Sequence, residues 1–135
     1  MGNVIKGAKD LIVYQKAYKL AMEIFKITKS WTVEEKYSLI DQIRRSSRSV
    51  SSNISEAWAK RKYKAHYVNK LTNADAKNSE TLTWLDFSLS CGYIKKSVHN
   101  KLQNLCQENG KMLGSMILNP EIFLLKPKSN TRKVL

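Results

Sequence analysis

The feature that most constrains this chain is its near lack of helix breakers: among 135 residues only five are glycine, and the first proline is Pro120. Proline removes a backbone donor and clashes with the preceding turn, so nothing before Pro120 forbids long helices. At this length one domain is expected, and 42% hydrophobic residues can fill a core without disulfides.

Apolar residues recur at three- and four-residue steps, the period that gathers side chains on one face of a helix. Tyr14, Ala17, Tyr18, Ala21, Ile24 and Phe25 define a first helix from about Asp10 to Ser30. A second opens at Thr32-Val33-Glu34-Glu35, which reads as a capping box, and its seam is Ile40, Ile43, Ser47, Val50, Ile54 and Ala57. After a junction near Arg61 to Lys64, a third carries Val68, Leu71, Asp75, Asn78, Leu82, Leu85 and Leu89, closed by Gly92 as a left-handed cap. The fourth, Lys95 to Leu118, carries Val98, Leu102, Leu105, Met112 and Met116. Short connections make neighbours antiparallel, so the expected fold is all-α, an antiparallel up-down four-helix bundle. It spans residues 10–119, between an N-terminal segment 1–9 and a basic C-terminal tail 120–135 with Lys126, Lys128, Arg132 and Lys133, read as a flexible arm.

Twenty-four Lys and Arg against eleven Asp and Glu give a formal charge of +13. Self-repulsion of that size is best tolerated beside a polyanion. No stretch reaches the ~18 apolar residues of a membrane span, and no signal segment is evident, so no membrane partner and a cytoplasmic location are expected. Cys91 and Cys106, without CxxC or Cys/His clustering, read as reduced helix residues.

Catalytic constellations are missing. His66 and His99 have no Glu three residues before them, as a di-iron bundle requires, and no Gly-rich phosphate loop, Gly-x-Ser-x-Gly or His-Glu-x-x-His occurs. The expectation is a non-enzyme with no metal or organic cofactor.

Two stretches stand out instead. From Gln42 to Glu56 the chain is rich in Ser and Arg, with poor helix propensity, so packing must hold it. Arg44, Arg45 and Arg48 could pair with Asp75, Asn78 or Glu80 of the third helix, or touch phosphates. Gln42, Arg45, Asn53 and Glu56 are spaced to reach different neighbours and are assigned to a homo-oligomer interface or structural polar contacts, as are Asp75, Asn78 and Glu80; Arg44 and Arg48 are assigned to nucleic acid. The second stretch, Lys60-Arg61-Lys62-Tyr63-Lys64, places four cations and an aromatic at a helix junction, where they could meet a phosphate backbone and stack on a base.

Six blocks carry a resemblance that runs from about Leu11 to Ile117: Tyr14-Gln15-Lys16-Ala17, Gln42-Ile43-Arg44-Arg45, Asn53-Ile54-Ser55-Glu56, Glu80-Thr81, Gly92-Tyr93-Ile94 and Gly110-Lys111-Met112-Leu113. In this order they resemble the four-helix-bundle family named for reading frames in intervening sequences of bacterial 23S rRNA genes. That family includes the accessory variability determinant of diversity-generating retroelements. The resemblance implies a ring-shaped homopentamer with a basic surface and, in the retroelement branch, binding to RNA or DNA and to a reverse transcriptase. Ser51 and Ala57 stand where the family commonly has Pro and Gly, which implies a straighter second helix continuing through Trp58.

The function expected is a non-enzymatic nucleic-acid-binding accessory protein. The alternative is a structural or protein-interaction oligomer whose charge serves an acidic protein partner.

Overall fold

A computed structural model describes residues 4–126. Four helices account for most of them: α1 (Ile12–Thr28), α2 (Leu39–Ala59), α3 (Lys64–Ser90) and α4 (Lys96–Leu118), with single 3-10 turns at Ala8–Asp10, Val33–Glu35 and Pro120–Ile122. Among the described residues there is no strand. Each helix packs on its neighbours in a closed square, α1 on α2, α2 on α3, α3 on α4 and α4 back on α1, while the diagonal pairs stay apart. This is a four-helix bundle.

The expected α2 seam is the observed one: Ile40, Ile43, Ser47, Val50, Ile54 and Ala57 are all buried, joined by Ser46 and Ser51. The helix runs unbroken past Ser51 and Ala57. Its serines solve their own polarity. Ser46, Ser47 and Ser51 each donate to the carbonyl three residues back (3.3, 3.2 and 3.1 Å), and Thr81 of α3 donates to Ser46 Oγ at 2.9 Å. Small satisfied side chains let α3 approach closely, and α2 with α3 is the most extensive helix pair.

The other seams are rotated. In α1 the buried stripe is Val13, Ala17, Leu20, Ala21, Ile24 and Thr28, which leaves Tyr18 exposed and Tyr14 and Phe25 on the rim. In α3 it is Tyr67, Leu71, Ala74, Asn78, Thr81, Leu85 and Ser88, so Ala74 and not Asp75 takes the inward position. In α4 it is His99, Leu102, Cys106, Asn109 and Leu113. Many inward residues are small or polar because they face the serine side of α2 or one another, and hydropathy does not mark them.

The two expected helix caps fare differently. The C-terminus of α3 carries its glycine cap: Gly92 has φ +78°, its N–H bonds to Leu89 O at 3.0 Å, and Tyr93 N–H bonds to Ser88 O at 2.9 Å, a complete Schellman motif. The capping box at Thr32 does not form. Thr32 makes no side-chain cap, Val33–Glu35 is a 3-10 turn, and α2 starts only at Leu39. Glu35 is diverted, because its carboxylate accepts from Ser38 Oγ (2.6 Å) and from Tyr93 Oη (2.9 Å), bonds that hold it below the usual carboxylate range. Trp31 stacks on Tyr93 at 5.1 Å and ties this loop to the α3–α4 turn.

The segment after α4, assigned on sequence to a free arm, returns to the bundle as far as the structure describes it. Pro120 is buried, Phe123 lies 6.0 Å from Trp58, Glu121 pairs with Lys64 at 2.8 Å, and Leu125 N–H bonds to Arg61 O at 3.2 Å. Lys128, Arg132 and Lys133 lie outside the described residues. Ahead of α1, Ile5 packs against the core and Asp10 accepts from the N–H groups of Lys6 and Gly7.

Candidate nucleic-acid interface

The outward side of α2 is a ridge of arginines bordered by α1 on one flank and α3 on the other. On the α1 flank, Arg44 Nε donates to Thr28 Oγ1 at 2.8 Å, and Thr28, itself buried, donates to Ile24 O at 2.8 Å. The Arg44 guanidinium thereby sits 4.8 Å from the Phe25 ring centroid. Arg48, one turn on, lies 5.6 Å from the same centroid, and Lys29, the residue that caps the C-terminus of α1, lies 4.8 Å from it. Lys29 caps α1 one turn after Phe25, and Arg44 and Arg48 are one turn apart on α2. Sequence reading found the two arginines but not Phe25, Thr28 and Lys29, because the loop between the helices hides that they face one another.

On the α3 flank, a polar depression of about 390 Å³ is lined by Gln42, Arg45, Ser46, Arg48, Ser49, Lys77 and Glu80. It brings four of the sequence candidates onto one surface, with Arg48 shared between the two flanks. Among the described residues the α2 arginines do not pair with Asp75, Asn78 or Glu80 of the same chain, and two of these three are otherwise engaged. Arg45 is 76% exposed and pairs with Asp41 one turn back at 3.3 Å. Glu80 accepts from Trp84 Nε1 (3.0 Å) and Lys77 (3.2 Å), the tryptophan bond first among the causes that hold its carboxyl below the usual range. Asn78 is buried and donates to Cys106 O at 2.7 Å, toward α4. Asp75, expected mid-seam, is half-buried beside the stripe. Asn53 donates to Ser49 O within α2, and Glu56 pairs with Lys70 of α3 at 2.9 Å.

The Lys60–Lys64 junction is less free than its composition suggests. Arg61, expected to meet a phosphate backbone, is half-buried: its guanidinium lies 3.5 Å from the Trp58 ring centroid, its Nε donates to Trp58 O at 2.8 Å, and its carbonyl accepts from Leu125 N–H. Lys64 is bound to Glu121. Lys60 and Lys62 remain exposed, and Tyr63 is 55% exposed with Lys62 at 5.9 Å and the His66 ring edge-on at 5.8 Å.

Among the described residues, no group of three or more His, Cys, Asp or Glu is placed to hold a metal, and no helix is long and apolar enough to cross a membrane. Burial pushes the Cys106 thiol up to about 12, which makes it a packing residue and not a nucleophile, whereas Cys91 is exposed.

Fold and charge together define the class: a proline-poor, strongly basic four-helix bundle. Residues 9–115 match the 23S rRNA-intervening sequence protein family, and the chain belongs to it. It is also similar to a solved protein of unknown function from the S23 ribosomal protein family of Bacteroides thetaiotaomicron. The two are 32% identical with a TM-score of 0.72, over 81% of this chain and 97% of that one. No curated protein matches.

Proposed function

We propose that this protein is a non-enzymatic, homo-oligomeric nucleic-acid-binding protein. The observation that carries the reading is that folding leaves the charge excess on the surface. Of the 21 Lys and Arg among the described residues, five have a carboxylate within 4.0 Å there: Lys16, Arg45, Lys64, Lys70 and Lys77. Of the other cations of the described residues, all but the half-buried Arg44 and Arg61 are exposed and can meet a polyanion, and displacing counterions from one is what makes such binding strong at low salt. Filter binding of RNA and DNA at rising salt tests this. Affinity that falls steeply and log-linearly with salt is the expected result, and no binding at low salt refutes it. In the retroelement branch of the family a reverse transcriptase is the further partner, and a gene for one beside this gene would assign the chain to that branch.

Protein contact is favoured by a separate observation. Val33, Tyr37 and Phe87 are 84%, 84% and 52% exposed, and Tyr37 and Phe87 border a hollow of about 400 Å³ with Leu39, Trp84 and Cys91. Clustered aromatic exposure of this kind marks an interaction face. It suits self-association, with the pentameric ring of the resembled family as the assembly proposed. Light scattering at micromolar concentrations should return a multimer mass; a monomer mass throughout would remove the oligomer from the reading.

A further inference from the structure

We propose that Lys29, Arg44 and Arg48, gathered around Phe25 and braced by Thr28, form a preorganised site for the backbone phosphates of a polynucleotide. The inference rests on the nucleic-acid reading above and locates where contact is made.

Three cations sharing one ring centroid lie at most about 10 Å from one another, no further than about one Debye length at 0.1 M salt, so salt does not remove their repulsion. Among the described residues no carboxylate lies within 4.0 Å of any of them, and the nearby Asp41 is held by Arg45. The π face of Phe25 offsets part of the repulsion. A bound anion offsets the rest, and like charges held together without a counter-charge are the electrostatic signature of an anion site.

A purely structural role explains only one of the three. Arg44 clamps α1 to α2 through Thr28, which uses its Nε and leaves both Nη groups of the fork available. Lys29 and Arg48 donate no side-chain hydrogen bond among the described residues. Their hydrogens point to no protein acceptor, and together with the Arg44 fork they match the several oxygens of phosphate.

The site also implies what is not read. Phe25 is half-buried and its ring is occupied by the cations, so no base can stack there. Contacts made only to phosphate carry no sequence information. Binding at this site is therefore indifferent to base sequence.

The test uses the ¹⁵N-labelled full chain, titrated separately with an oligo-dT single strand and with inorganic pyrophosphate, reading the Nε–H signals of Arg44 and Arg48 and the Lys29 amide. Expected are saturable shifts at these three groups with the oligonucleotide. In a Lys29→Gln/Arg48→Gln double variant, affinity should fall about tenfold or more and the salt slope should flatten by about 0.7 for each phosphate no longer neutralised, with thermal stability unchanged. Arg48→Lys should recover part of the affinity. If the double variant binds with full affinity and shifts fall only around Lys60 to Lys64, the site is refuted while nucleic-acid binding stands. If pyrophosphate shifts these signals and the oligonucleotide does not, the polynucleotide assignment of this site is overturned, and the nucleic-acid reading falls with it only if filter binding at low salt also finds no RNA or DNA bound. If neither moves these signals, there is no anion site.

Discussion

The helix junction at residues 60–64 and the Phe25 cluster are both basic, yet they reach that state by opposite routes. The junction takes four cations from five consecutive residues, and the fold then occupies two: Arg61 lies on Trp58 and Lys64 binds Glu121. The Phe25 cluster takes its cations from positions 29, 44 and 48, at the end of α1 and on α2, and leaves them without an acid among the described residues. Density along the chain is thus a poor guide to charge available in space. A run of cations at a turn is as easily spent on holding the turn together as on meeting a partner.

The sharpest way to break this comparison is to neutralise each region in turn. Replacing Lys29, Arg44 and Arg48 with Ala should lower affinity for any nucleic acid by roughly a hundredfold at low salt and flatten its salt dependence, as removal of about three phosphate-binding cations predicts. Filter binding measures both. Lys60→Ala with Lys62→Ala should cost only a few-fold in the same assay, again without regard to sequence. An equal or larger loss from the junction pair would reverse the ranking.

Arg61→Ala should act on stability more than on binding. It removes the stacking on Trp58 and a hydrogen bond, together worth about 1–2 kcal/mol, and denaturant unfolding should show the loss. Unchanged stability with weakened binding would return Arg61 to the binding set. The smallest effect concerns Glu121, whose carboxyl Lys64 holds below its ordinary value of 4.5. A depressed folded-state value means that the contribution to docking is complete above the ordinary value and fades as pH falls through the depressed one. Acidification should therefore loosen residues 120–126 from the junction, and Glu121→Gln should abolish that pH dependence. Backbone amide exchange at Leu125 reports it.

How far the fold is legible in the sequence depends on which side chains line the core. The α2 seam is legible because Ile40, Ile43, Val50 and Ile54 mark it, and the Gly92 cap because only glycine enters that conformation readily. The inward faces of α1, α3 and α4 are legible only approximately. Thr28, Thr81 and Ser88 are buried, yet each looks like a surface residue until the carbonyl or hydroxyl oxygen that takes its proton is known. Thr32 fails as a cap for a related reason, since Glu35 has two competing donors and one of them, Tyr93, is 58 residues away. The candidate site is half legible. Arg44 and Arg48 are conspicuous one turn apart, whereas Lys29 joins them only through tertiary packing.

The serine content of α2 reaches beyond geometry, into the coupling of folding and occupancy. A segment with so many hydroxyls has little tendency to be helical by itself, so Arg44 and Arg48 keep their relative positions only while α1 and α3 hold the helix in place. The unfolded chain has the same charges but no arrangement of them. A polyanion that prefers the arranged form must draw the folding equilibrium towards it, by RT ln(1 + [L]/Kd), and the melting temperature becomes a readout of occupancy.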